Sequence, residues 1–209
     1  MNSIEICAGP NQSFTNTIKS MCDDTLTIDI EDYEGIDIVA DFTKLPWPLG
    51  VGDSLFNIMW ASVPCQTYSV AGIRHHRRDA IIPISQAAKD HDKLVEAVLI
   101  YVDVMLKRNP DFKFVIENPR GCLRKMPFME KWNKYRKTVS YCQYGDFRMK
   151  PTDLWTNINF DVRMCHNGAP CHEASPRGSM RGTSRLNWKE RNKVPQDLIL
   201  EIMKGVIKC

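Results

Sequence analysis

Hydrophobic and polar positions along the chain follow two alternating periodicities. Short alternating or continuous apolar runs predict strands at 3–7, 25–30, 37–40, 56–61, 113–116 and 138–141. Apolar residues at helical spacing predict a helix over 13–21 capped by Ser13, a long helix from near Ile84 to before Asn109, and a C-terminal helix that begins at Pro195. Strands that alternate with helices indicate an α/β fold with a largely parallel sheet.

Polar residues follow the predicted strands at the points where the strands end. The segment AGPNQS follows the first strand, Asp29 and Glu31 end the second, and Asp41 follows the third. Cys65 and Glu117 follow the fourth and fifth. Because ligands bind beyond the carboxyl ends of the strands in such sheets, we expect one site along this edge.

The segment 152–192 differs from the rest because it is rich in Arg, Gly, Pro, Ser and Asn and poor in aliphatic residues. It predicts an irregular, basic subdomain. The expected organisation is a cofactor-binding and catalytic domain over 1–151, the irregular substrate-binding subdomain over 152–193, and a C-terminal helix over 194–209 that packs back on the catalytic domain.

Composition narrows the class of protein. The chain has 209 residues of which 43% are hydrophobic, enough for one full core. Its net charge of +3 permits a phosphate-bearing partner without demanding one. A membrane span is not expected, since no apolar run approaches 18 residues, and the N-terminus lacks the pattern of a secretory signal. Eight cysteines without such a signal indicate a reduced, intracellular setting.

Two of the strand-end residues suit covalent catalysis. Cys65 lies in the polar segment SVPCQTYSVAG, and a basic run at 74–78 follows that could favour its thiolate. Glu117 ends the apolar run of VIENPRG, where a partly desolvated carboxyl can act as an acid. Taken singly, Cys65 also fits a small turn residue, and Glu117 fits an ion pair with Arg120 or a helix cap.

Taken together, these segments resemble the cytosine-C5 DNA methyltransferase family. PCQxxSxxG and ENPRG are similar to its Pro-Cys-Gln and Glu-Asn-Val signatures, with Pro119 in place of Val. EICAGPNQSF resembles its first cofactor loop, although Asn11 and Gln12 replace later glycines. YCQYGDFRMKPT and VPQDLILEI are similar to two less specific later segments. The resemblance implies a Rossmann-like methyltransferase fold dependent on S-adenosylmethionine (AdoMet), with helices on both faces of the sheet.

The resemblance also implies a reaction, in which a methyl group passes from AdoMet to C5 of cytosine in DNA. Cys65 would attack C6 of the base, because this attack makes C5 nucleophilic, and Glu117 would donate to N3. Asn118 would fix the position of Glu117, and Arg148 would hold the pyrimidine or its phosphate. Further substrate contacts are expected from Gln66, Ser69 and Gln143.

The cofactor would meet the loops after the first four strands. Asp29, with Glu31 as the alternative, would accept the ribose hydroxyls, and Asp41 with Phe42 would meet the adenine. These acids are otherwise solvated strand ends. The remaining expected cofactor contacts are Cys7, Ala8, Gly9, Asn11 and Pro64.

The irregular segment is short for a region that recognises a specific DNA site. Its Arg177 and Arg181 are expected to contact DNA phosphates, duplex or single-stranded, unless the segment is a solvated charged loop. Within CHNGAPCH, Cys165, Cys171 and His172 could hold Zn²⁺ together with Cys142. The alternative is a tight loop ordered by its glycine and proline.

Three functions remain open at this point. The first is a stand-alone DNA methyltransferase of the compact type found in phage and prophage genomes. Such an enzyme would work in the cytoplasm of a bacterial or phage-infected host cell, where it would protect DNA from restriction or mark it. The second is a C5 modifier of free cytosine nucleotides. The third is a non-catalytic nucleic-acid-binding protein that retains the fold.

Overall fold

The computed structural model describes residues 1–46, 56–173 and 186–207, and a seven-stranded sheet forms its centre. The strands of the chain are β1 (Asn2–Ile6), β2 (Asp24–Asp29), β3 (Ile38–Val39), β4 (Ile58–Ser62), β5 (Arg77–Arg78), β6 (Ile82–Pro83), β7 (Lys113–Pro119), β8 (Arg136–Ser140) and β9 (Pro151–Thr156). Strands β5 and β6 form a separate hairpin. The helices are α1 (Ser13–Ile18), α2 (Ile73–His76), α3 (Gln86–Arg108), α4 (Trp188–Asn192) and α5 (Gln196–Ile207).

The order of strands in the sheet is β3-β2-β1-β4-β7-β9-β8. The first five are mutually parallel, and β9 runs antiparallel to both β7 and β8. The chain moves outward in one direction from β1 to β3 and in the other from β4 to β7. The switch point, where doubly wound sheets bind ligands, therefore lies between β1 and β4.

Helices cover both faces of the sheet, as expected. Alternate strand residues point to opposite faces, so that Ile4 and Met59 face the α3 side while Ile58 and Trp60 face the side covered by α1 and α5. Each face has its own fully buried apolar cluster. The Rossmann-like α/β fold predicted from the sequence is confirmed.

The start of α1 differs from its prediction. Ser13 is the first residue of the helix rather than its cap, and its hydroxyl accepts from the backbone N–H of Val194 (3.2 Å). The buried carboxylate of Glu5 on β1 accepts instead from the free N–H groups of Phe14 (3.2 Å) and Thr15 (2.8 Å). Burial raises the pKa of Glu5 to about 7, although these two N–H groups oppose the shift.

The predicted irregular subdomain begins too early. Residues 151–156 form β9, which pairs with β7 on one side and β8 on the other, so the irregular part starts after Thr156. The strand was missed because its sequence, PTDLWT, mixes polar and apolar residues without a clear period. Among the described helices, none combines the length and the apolar character that crossing a membrane requires.

Candidate active site

The two expected catalytic residues come from neighbouring parallel strands. Ser62 at the end of β4 pairs with Glu117 on β7, and Cys65 follows Ser62 by three residues. Glu117 is only 5% exposed. Burial, and next the charge of Glu117, raise the pKa of the Cys65 thiol, whereas Lys150 and Arg191 act in the opposite direction. The thiol, the carboxyl and a lysine therefore share one electrostatic environment.

The end of β7 and the loop after it contact backbone carbonyl groups of the loop that follows β4. The Asn118 side chain donates to the carbonyl oxygens of Val63 (2.9 Å) and Pro64 (3.4 Å), immediately before Cys65. A Cβ on Gly121 would lie 2.3 Å from the carbonyl oxygen of Tyr68, so only glycine permits this approach. The Asn118 and Gly121 of ENPRG thus position the cysteine loop. Asn118 thus contacts the cysteine loop, whereas the expectation that it fixes the position of Glu117 stays a prediction.

Tyr141 is a member of the site that sequence reasoning missed. It is fully buried in the 3-10 turn Tyr141–Tyr144 after β8, and its hydroxyl donates to Oε1 of Glu117 (2.8 Å). Burial and the neighbouring Glu117 raise the pKa of Tyr141, so it remains a neutral donor. It is the first residue of the segment YCQYGDFRMKPT, in which the sequence predicted substrate contacts for Gln143 and Arg148 instead.

Arg148 does not serve the expected role in the structure, because its donors are used internally. The guanidinium forms a buried ion pair with Asp146 and donates to the backbone carbonyls of Glu190 (3.0 Å), Arg191 (3.0 Å) and Lys193 (3.1 Å). With Nε also bonded to Asp146, every N–H direction of the group has a partner. Arg148 therefore clamps the segment before α5 against the turn after β8.

Lys150 shares the electrostatic environment of Cys65 and Glu117. Desolvation lowers its pKa, and the charges of Glu117 and Cys65 raise it in part. Its ammonium donates to the carbonyl of Arg191 (3.1 Å) and lies 4.7 Å from the centre of the Tyr141 ring. A positive charge beside a thiol and a carboxyl is suited to a developing anion. Lys150 follows Arg148 by two residues, and the sequence alone did not distinguish them.

The basic run after Cys65 also behaves differently from its prediction. Arg77 is 3% exposed, pairs with Asp92 on α3, and donates through Nε to the carbonyl of Thr67 (2.9 Å). Tyr68 donates its hydroxyl to the same Asp92 (2.7 Å). Arg77 therefore anchors the end of the cysteine loop to α3, while Arg74, His75 and Arg78 are exposed.

The expected substrate residues fall into three groups. Gln66 is exposed beside Cys65, and the Ser69 hydroxyl closes the turn by donating to the Gln66 carbonyl (3.2 Å). Gln143 instead donates its amide to the sulfur of Cys171 (3.1 Å). Arg177 and Arg181 lie outside the described residues.

The expected metal ligands Cys165, Cys171 and His172 lie together with Cys142 in a cluster that could hold a metal ion.

The cofactor loop after β1 has an open backbone. Gly9 has φ +60°, which favours glycine, and apart from its chain neighbours no atom of the described residues lies within 4 Å of where its Cβ would be. Its N–H donates to Oδ2 of Asp29 at the end of β2 (2.8 Å), and Oδ1 accepts from the N–H of Glu31 (3.0 Å). Ile30, between these two acids, exposes 66% of its side chain beside the loop.

Other expected cofactor residues are placed less directly. The partly buried Cys7 side chain packs on the core, and Phe42 is 3% exposed with its ring against Tyr101. The expectation that Asp41 with Phe42 meets the adenine stays a prediction. Ala8 is buried, Asp41 caps the 3-10 turn Phe42–Lys44, and the Asn11 amide donates to the Lys189 carbonyl (2.7 Å).

The sheet topology, with its switch point between β1 and β4, defines a Rossmann-like α/β fold. No family model matches the chain. A curated protein of Frog virus 3 (isolate Goorha), named probable DNA (cytosine-5)-methyltransferase, is 25% identical over 195 residues, which cover 85% of this chain and 87% of the viral protein.

Among solved structures, the chain is similar to the methyltransferase subunit of a type I restriction-modification system from Streptococcus thermophilus. The TM-score is 0.42 and the identity 13%, over 79% of this chain. The chain spans 40% of the length of that subunit.

Proposed function

We propose that the protein is a DNA methyltransferase that transfers a methyl group from AdoMet to C5 of cytosine. The observation that carries the proposal is the position of Cys65 and Glu117 at the ends of adjacent strands. Asn118 is bonded to the cysteine loop, and Tyr141 is bonded to Glu117. The name of the viral relative supports the same chemistry. In contrast, a protein that only binds nucleic acid would have no need of a buried carboxyl beside a cysteine.

The loops after β1 and β2 fit AdoMet. The open backbone at Gly9 would allow close approach of the methionine part, and the Asp29 carboxylate at the end of β2 would accept the ribose hydroxyls, as acids there do in other nucleotide-binding sheets. The exposed Ile30 offers an apolar wall for an adenine ring. When bound, AdoMet would supply an electrophilic methyl group.

Several residues of this chain would each have a separate role in activating the cytosine base. The Cys65 thiolate would add to C6, and Glu117 would donate to N3, so that C5 gains electron density. Lys150 would stabilise the negative charge that develops on the thiolate and on the pyrimidine. Tyr141 and Asn118 would keep Glu117 and the cysteine loop in place. Loss of the C5 proton and departure of the Cys65 sulfur would restore the aromatic base. In a duplex, the cytosine would first have to leave the base stack.

The test uses the full chain, tritiated AdoMet and three substrates: mixed-sequence duplex DNA, single-stranded DNA and dCMP. Label in 5-methylcytosine is expected with the wild type and with Cys22→Ala, and none with Cys65→Ala. Transfer to dCMP alone would indicate a nucleotide modifier. AdoMet binding by calorimetry is measured alongside. Absence of both transfer and AdoMet binding would refute the proposal and favour a binding protein.

A second measurement examines the covalent step. With DNA that contains 5-fluorocytosine, the fluorine cannot leave C5 as a proton does, so the adduct at C6 should persist. A complex that survives denaturing electrophoresis is expected with the wild type and not with Cys65→Ala. Label transfer without any trapped complex would rule out Cys65 as the nucleophile.

A further inference from the structure

Three cysteines and one histidine converge at the edge of the sheet beyond β8. Cys142 belongs to the turn Tyr141–Tyr144, whereas Cys165, Cys171 and His172 come from the irregular segment that follows β9. The four ligand atoms all lie within 4.8 Å of one another. The distance from Cys171 Sγ is 3.3 Å to Cys165 Sγ and 3.7 Å to Cys142 Sγ. His172 Nδ1 lies 3.6 Å from Cys165 Sγ and 3.7 Å from Cys171 Sγ.

Three of these four separations, at 3.6–3.7 Å, are close to the edges of a zinc tetrahedron, and the Cys165–Cys171 separation of 3.3 Å is about 0.5 Å shorter. Zn–S bonds of about 2.3 Å and Zn–N bonds of about 2.0 Å imply S···S edges of about 3.8 Å and S···N edges of about 3.5 Å. We infer that Cys142, Cys165, Cys171 and His172 bind one structural Zn²⁺ ion. Four protein ligands fill the tetrahedron, which leaves no open position for catalysis.

The surroundings of the cluster suit thiolate ligands. The Gln143 amide donates to the sulfur atoms of Cys171 (3.1 Å) and Cys142 (3.9 Å), as outer-sphere donors do in metal sites. His172 would bind through Nδ1 and carry its proton on the buried Nε2, which has no hydrogen-bond partner among the described residues. A sulfur separation of 3.3 Å between Cys165 and Cys171 exceeds the length of about 2.05 Å for a disulfide.

The ion would fasten the irregular segment to the edge strand. Hydrogen bonds already run from the N–H of Cys165 to the Ser140 hydroxyl (3.0 Å) and from the N–H of Glu173 to the Phe147 carbonyl (3.0 Å). Cys142 directly follows Tyr141, the residue that holds Glu117. Zinc would therefore fix the turn on which the proposed catalytic carboxyl depends.

The first measurement is the zinc content of the purified full chain by plasma mass spectrometry. About one Zn²⁺ per chain is expected for the wild type and for Cys22→Ser, a half-buried cysteine outside the cluster. At least a tenfold lower content is expected for Cys142→Ser and Cys165→Ser. Circular dichroism checks that each variant folds. Cobalt added to reduced, zinc-free wild type should give thiolate-to-cobalt charge-transfer absorption, which does not depend on any variant.

Three outcomes would overturn the inference. They are a wild type that takes up neither zinc nor cobalt in stoichiometric amount, a Cys142→Ser variant with full zinc content, and a Cys165–Cys171 disulfide in the mapped native protein. None of these readouts involves methyl transfer. Failure of the zinc site and failure of the proposed function can therefore be told apart.

Discussion

Replacing Arg148 and Lys150 separately by methionine should distinguish a structural role of Arg148 from the proposed catalytic role of Lys150. In Arg148→Met the buried carboxylate of Asp146 loses its partner and three backbone carbonyls lose a donor. Breaking one side of a buried ion pair costs about 3–5 kcal/mol of unfolding free energy. We therefore expect Arg148→Met to be strongly destabilised.

Lys150→Met should show the opposite pattern. The lowered pKa of Lys150 means that its surroundings disfavour the charge, so its removal should change the unfolding free energy by less than about 1 kcal/mol near neutral pH. Methyl transfer, however, should fall by roughly 10²–10³ in kcat, the usual effect of removing one group that stabilises developing charge.

The assay combines urea unfolding followed by circular dichroism with tritium transfer at a temperature where both variants are folded. Lys89→Met, an exposed lysine on α3, is the control and should match the wild type in both. Stability of the wild type relative to Lys150→Met should rise with pH up to about 10.5, since the unfolded lysine holds its proton longer than the folded one. A stable but inactive Arg148→Met, or a fully active Lys150→Met, would refute the assignment.

Four further predictions concern other parts of the molecule. Between pH 4.5 and about 7 the folded state holds the Glu5 proton more tightly than the unfolded state does. As the pH rises from 5 to 8, the unfolding free energy of the wild type, measured in urea titrations, should therefore fall relative to that of Glu5→Gln by up to roughly 3 kcal/mol. Gly121→Ala should force the two catalytic loops apart and lower transfer at least about tenfold; unchanged transfer would contradict the close approach. Tyr141→Phe should lower kcat by roughly 10–100-fold, since it removes the bond to Glu117, while AdoMet affinity measured by calorimetry should be unchanged because the loops after β1 and β2 are not altered. Iodoacetamide modification of Cys65, followed by mass spectrometry, should increase with pH beyond 9.0 and be faster in Glu117→Gln; equal rates would mean that the two groups do not interact.

The fold was largely predictable because apolar periodicity dominates its buried strands. All six predicted strands are present, and so are the helices now defined as α1, α3 and α5. Strand β9, which lies between β7 and the edge strand β8, was harder to predict, since it gains its stability from pairing with both rather than from a local pattern.

The site was predictable in its location and less so in its individual roles. Strand ends placed Cys65 and Glu117 together, because that follows from topology alone. Roles that depend on distant backbone were not predictable. Arg148 is occupied by carbonyls more than forty residues away along the chain, and Arg77 turns to Asp92. Tyr141 reaches Glu117 only because the turn after β8 folds back over the sheet.

The pairing of β4 with β7 has a consequence for how such a protein can diversify. Interstrand hydrogen bonds fix the spacing of the two strand ends at about 4.8 Å, and the Asn118 and Gly121 contacts fix the loops beyond them. None of these contacts involves the irregular segment that follows β9. The spacing of the two strand ends is therefore set within the sheet, and residues of that segment that make no contact with the 141–150 turn can vary without changing it, whereas those that hold Arg148 and Lys150 cannot.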